Sequence, residues 1–395
     1  MPKFTLVKGN RSSGEKSADW EILKHRIKKI MRVVAFVAAL VFVIWLIHRL
    51  YQNTTFNDYE ILSKTMRQDS DTSKYLAYNG HVLKLSRDGA EAFEGNGKAI
   101  WNVTYEMQNP QAATCEDFVA IADEMGTEIY VASAADDMNK ISTKLPILDL
   151  CVSKQGVVAA VLEDSGTSWV RLFDKSGEEL ASIKCSMAES GYPMDISLSP
   201  SGYLLAVAYT RVEGDSMRSS IAFYNFGDVG ANESDHYMSG YDFAGTMIPR
   251  VKFLNDSTAF AMGTDKMIIF SGDQKPEKKY EYSFDTRVKG VFYSEDRIVL
   301  VRESAIDGGY SASVFNLSGE ELLSIPFDLD YIDVQVSGKR IVIYSDTHML
   351  IYDMRGTIKY DGALDDSTLL VSTTDNARRY ILVNRESVKL IQLVK

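Results

Sequence analysis

Apolar residues are distributed along this chain in two distinct ways. Near the N-terminus they form one unbroken run, VVAFVAALVFVIWLI from Val33 to Ile47, closed by Arg32 on one side and by His48 and Arg49 on the other. With Met31, Leu50 and Tyr51 the stretch reaches about 20 residues, the length of a helix that crosses a ~30 Å hydrocarbon core. After it, apolar residues come only in short runs punctuated by Gly, Asp, Asn and Ser, with almost no helical periodicity. That pattern predicts many short β-strands joined by tight turns.

An internal echo organises the strands. Phe173 to Ile183 reads FDKSGEELASI and Phe315 to Ile325 reads FNLSGEELLSI, identical at eight of eleven positions. In each copy a strand ends in Phe, a Ser-Gly pair turns, and a second strand begins; Gly177 and Gly319 supply the positive φ of the turn. Weaker copies occur at 83–93 and 351–360, and further short β-rich runs precede each hairpin. Four short strands repeating at a period of roughly 40 residues predict the blades of a β-propeller. The expected fold is therefore all-β, a propeller of eight blades, or of seven if the first and last fragments merge. The last unit, near 367–394, shows only three strands. Its fourth is expected to be Tyr59 to Met66, because pairing the two chain ends removes an exposed edge.

Charge sets the expected topology. Residues 1–32 hold nine Lys and Arg against three acidic residues, a net +6, which leaves −17 for the remainder of a chain whose total is −11. Positive charge beside a single span keeps that end in the cytoplasm, and no A-x-A cleavage site follows the apolar run. The expected order is a basic cytoplasmic tail (1–30), a retained signal anchor in the bilayer (31–51), a juxtamembrane segment containing the closing strand (52–74), and an extracytoplasmic propeller (75–395). Within the tail, Trp20, Leu23, Ile27 and Ile30 recur on one helical face, opposite a basic one.

Little in the sequence points to catalysis. Gly95-Asn96-Gly97-Lys98 lacks the first Gly and the final Ser or Thr of a phosphate loop, whose places hold Ala92 and Ala99. The five histidines show no metal-ligand spacing. Asp328, Asp330 and Asp333 lack the glycine of a calcium loop. Three cysteines, Cys115, Cys151 and Cys185, form no C-x-x-C and read as small apolar fillers. No catalytic residue, metal, cofactor or nucleic-acid partner is expected.

One region departs from the blade rhythm. RVEGDSMRSS (211–220) and GDVGANESDHYMSGYDF (227–243) read as swollen turns, and long loops on a rigid scaffold are where binding usually sits. Arg211, Arg218, His236, Tyr237, Tyr241 and Phe243 are the expected contact patch, by their aromatic and Arg character.

The runs DGAEAFEGNGKAIW (88–101), WNVTYEMQNP (101–110) and FVAIADEMGTEIYV (118–131) resemble an uncharacterised family of single-pass, signal-anchored envelope proteins of Gram-positive bacteria. The likeness covers the anchor and nearly all of the exported part. It implies a β-propeller and carries no activity with it. GNGKAIW also resembles a quinoprotein-type blade ending, and SLSPSGYLLAVAY (197–209) a WD-type blade. The expected function is that of an extracytoplasmic scaffold or recognition propeller for an envelope protein or wall polymer. The rival class is an envelope hydrolase or a ligand sensor.

Overall fold

The computed structural model describes residues 28–32, 34–45, 54–68, 72–134, 138–304, 308–364 and 367–395. The chain forms two compact units, 1–55 and 56–395.

In the first unit residues 28–32 and 34–45 are helical. Among the described residues no helix is long and apolar enough to cross a membrane. The described helical residues after Arg32 are the twelve apolar ones of 34–45, about 18 Å of helix at 1.5 Å per residue against a ~30 Å core, and Lys28, Lys29 and Arg32 sit on the preceding helical residues. The transmembrane helix expected over 31–51 is thus not found as such; its positions 33 and 46–51, like the tail up to 27, lie outside the described residues.

The second unit is an eight-bladed β-propeller. Eight four-stranded antiparallel sheets follow one another along the chain, spanning 74–104, 110–142, 147–185, 192–244, 250–283, 288–327, 333–363 and 368–394. First strands of neighbouring blades lie against one another, so they line the axis, while fourth strands form the rim. The sequence explains this layering. A second strand such as Thr258–Met262, or the first six residues of Leu204–Glu213, is covered on both faces by adjacent blades and reads as an apolar run. A rim strand such as Glu321–Phe327 alternates exposed and covered positions.

The core consists of eight clusters, one at each junction between neighbouring blades. The last unites Val82 and Phe93 of blade one with Leu370, Ile381, Val383 and Val388 of blade eight, so the ring is closed. Strand pairing also closes the ring: the rim strand of blade eight is Asp58–Met66, paired antiparallel with Ser387–Val394 from Asp58 opposite Val394 to Met66 opposite Ser387. Just before it, the Phe56 N–H donates to the Lys359 carbonyl at 2.8 Å, and its ring is buried between blades seven and eight.

The echoed segments are the third and fourth strands of blades three and six. Both hairpins carry the same register shift, at Leu172/Phe173 and Val314/Phe315, and both glycines are left-handed, Gly177 at φ +92° and Gly319 at +83°. Asp174 Oδ1 accepts from the Ser176 and Glu178 N–H groups; Asn316 Oδ1 does the same for Ser318 and Glu320.

Candidate functional site

Among the described residues, blade four carries the largest elaboration of the ring. Its second strand (Leu204–Glu213) and third strand (Ser216–Asn225) each run ten residues and pair throughout, from Leu204 opposite Asn225 to Glu213 opposite Ser216. RVEGDSMRSS is therefore not a swollen loop. It is the end of a β-hairpin that outruns its neighbours, turned by Gly214 at φ +62° and Asp215. Arg211 and Arg218 face each other across it, each relieved by an acid: Arg211 by Asp242 at 3.4 Å and Arg218 by Glu213 at 2.7 Å. The next pair outward is Val212 opposite Met217, exposed by 67% and 46%. Among the described residues neither side chain is packed into a core cluster.

The other four expected contact residues do not join this hairpin tip. The connection between the third and fourth strands forms two short 3-10 turns, 230–232 and 234–236, on the opposite face of the ring. His236 lies there with its ring 5.1 Å from that of Phe226, and Tyr237 is exposed beside it. The fourth strand begins at Tyr237, so Tyr241 and Phe243 are strand residues rather than loop residues. The Tyr241 hydroxyl donates to the Pro276 carbonyl at 3.2 Å, its ring packs on Phe223 and Phe270, and Phe243 is buried between blades four and five. Arg218 stands opposite Ala244, and Tyr224 opposite Tyr237. Six residues of strand, about 20 Å, thus divide the Arg pair from Tyr237. The expected patch resolves into an exposed hairpin tip, an exposed corner on the other face, and two core aromatics.

A second concave region went unnoticed in the sequence. First strands of blades two to six enclose a cavity of about 700 Å³ on the axis. Asp195 enters from blade four, and Asp149, next to the lining residue Leu150 of blade three, feels the same Arg250 and Lys252 charges. Asp195 Oδ2 accepts from the Val251 N–H of the next blade at 2.8 Å, and Asp149 Oδ1 from its neighbour Leu150 at 2.9 Å. Burial pushes the Asp195 carboxyl up to about 6, against the Val251 hydrogen bond and helped by nearby Asp149; Arg250 and Lys252 oppose the rise. Burial raises Asp149 as well. Cys115, next to the lining residue Thr114, has its thiol pushed up to about 11 by burial, which keeps it protonated and poorly nucleophilic at neutral pH. All three cysteines are free. Among the described residues no group of three or more His, Cys, Asp or Glu stands ready to hold a metal ion. The signal that marks the cavity was present in the sequence: charged residues inside otherwise apolar inner strands, in ILDLCV, MDISL and RVKF.

Known structures share this architecture. Sqt1 of Chaetomium thermophilum, solved bound to the N-terminus of the ribosomal protein L10, superposes with a TM-score of 0.54 at 12% identity, over 85% of this chain and 100% of Sqt1. A eukaryotic initiation factor gives 0.50 at 11% identity, over 85% of this chain and 87% of its own. BamB from Moraxella catarrhalis gives 0.49 at 12% identity, over 85% and 100%. At such identities the likeness is one of fold. No curated protein matches the sequence. Residues 52–393, the whole ring with its closing strand, match a single family description, and the chain belongs to that family of unknown function, DUF5711.

Proposed function

We propose that this chain is a recognition propeller that binds an envelope protein from the outer side of a membrane, anchored there by 31–51. The observation that carries the reading is the blade-four hairpin. A strand pair that outruns its blade and leaves Val212 and Met217 uncovered contributes nothing to the ring's own core. Exposed apolar side chains framed by Arg211 and Arg218 have the composition of a contact centre, where aromatic, Met and Arg residues concentrate. Sqt1, of the same fold, engages a partner protein's N-terminus, an occupant of the kind proposed here. The charge asymmetry of the first 32 residues supports the anchor and its orientation.

The reading is tested by placing a photo-crosslinking amino acid at position 217 in whole cells, with position 180 as control. Leu180 is exposed by 52% on the plain rim of blade three. A discrete crosslinked protein from 217 that is absent from 180 is expected. The same adducts from both positions, or none from 217, overturn it. Protease added to wall-stripped cells should digest the propeller and spare the tail.

A further inference from the structure

The axial cavity holds two cations that the fold does not use. Arg250 and Lys252 lie two residues apart on the first strand of blade five, so both side chains leave the same face. Opposite them on the second strand stand Met262 and Phe260, so one face of the blade carries a cation pair beside an apolar pair. Neither cation makes a hydrogen bond or an ion pair with any described residue. The partner of the Lys252 ammonium is the ring of Tyr293 on blade six, 6.0 Å away, and Tyr293 is itself 42% exposed toward the cavity region. Enclosure works against the Lys252 charge, but Tyr293, Cys151, Cys115 and Asp195 favour it and the net direction is upward, so the group is an ammonium at neutral pH.

The two carboxylates nearby have a different status. Asp195 is spent on the backbone of blade five and Asp149 on Leu150. Asp195 explains the joint between blades four and five; Arg250 and Lys252 explain nothing in it. Arg250 is exposed at the start of its strand, whereas Lys252 is largely enclosed, and an enclosed cation without a hydrogen-bond partner carries a desolvation cost that an arriving anion would offset. We propose that the axial cavity binds a carboxylate carried on an apolar body, with Arg250 and Lys252 holding the carboxylate and the Tyr293 ring covering the body. A single negative charge suits the site. A second would meet Asp195, so a phosphate dianion is disfavoured. The volume accepts a small acid or the last residues of a peptide, within the usual range of ligand pockets. This inference is independent of the hairpin tip.

Calorimetric titration of the full-length chain at pH 7.5 tests it, with four probes: 4-phenylbutyrate, acetyl-Gly-Gly-Phe with a free carboxylate, and the amide of each. Both acids should bind and compete with one another, and each amide should bind about tenfold or more weaker, the scale of a lost charge-assisted hydrogen bond. Tighter binding of the tripeptide identifies a chain terminus as the source, and tighter binding of phenylbutyrate a small acid. Lys252→Gln and Arg250→Gln should each weaken the acids by about tenfold and leave the amides unchanged, while Lys252→Arg retains binding. Equal affinity of acid and amide, preference for inorganic phosphate, or no binding of either acid overturns the proposal. The acid–amide comparison is made on the unaltered chain and stands whether or not the variants fold.

Discussion

Blades eight and four both depart from the plain form of the ring, and in opposite directions. Blade eight borrows its rim strand, Asp58–Met66, from the far end of the chain. That irregularity is covered: the adjoining strand Ser387–Val394 is mostly buried, and Phe56 is sealed into the junction with blade seven. Blade four instead extends two of its own strands past the ring, and the extension buries nothing. The contrast teaches how to sort irregularities in a repeat protein. One that completes nearest-neighbour packing is architecture. One that leaves apolar side chains in solvent is a candidate for function.

The comparison breaks most visibly at the closure. A chain beginning at residue 72 lacks the strand 58–66 and leaves the edge of 387–394 unpaired. Such a chain should aggregate and lose its single cooperative unfolding transition, followed by urea denaturation with light scattering. An unchanged midpoint would show that closure contributes nothing.

Point substitutions sharpen the same contrast. Ile391 is fully buried between blades seven and eight. Ile391→Ala should cost about 2–5 kcal/mol in urea denaturation. Val212→Ser on the blade-four hairpin should stay within about 0.5 kcal/mol of the parent. Comparable losses at the two positions would mean that the hairpin is part of the core energetics after all.

Between these extremes lies Asp195, which ties blade four to blade five. Its carboxyl stands near 6 in the folded chain against an ordinary value of 3.8. The folded state therefore holds the proton more tightly than the unfolded state does between those values. Stability from this group is fully present below about pH 4 and declines as pH rises through about 6, by on the order of 3 kcal/mol. Asp195→Asn should remove that part of the pH slope between pH 4 and 7. A slope identical to the parent's would show that the carboxyl is not perturbed.

The ring was legible in the sequence because its chemistry is repeated. Inner strands covered on both faces give apolar runs, and the Ser-Gly turns of 173–183 and 315–325 fix the hairpins locally, as Asp174 and Asn316 show by capping the same turn positions. The need for a fourth strand in the last blade pointed to 59–66. Blade four was misread for a physical reason. A hairpin end without neighbours has no face to bury, so Arg211 to Ser220 shows none of the alternation that betrays a strand. Tyr241 and Phe243, two apart and both directed inward, did carry that signal but stood in a segment rich in Gly, Ser and Asp. The axial cavity was harder still. Asp195, Lys252 and Tyr293 belong to three blades, and only the closed ring brings them together.

The measurement closest to the central claim removes the exposed irregularity and leaves the ring. Replacing 211–218 by a tight Gly-containing turn between Thr210 and Ser219 should leave the unfolding midpoint within the error of the parent. Position 217 is removed with the hairpin, so capture is read by affinity purification from gently crosslinked cells. The account predicts a stable propeller that no longer captures the partner held by the parent chain, a loss on the scale of an anchor residue at ~2 kcal/mol or more. Undiminished capture by the shortened chain would contradict it.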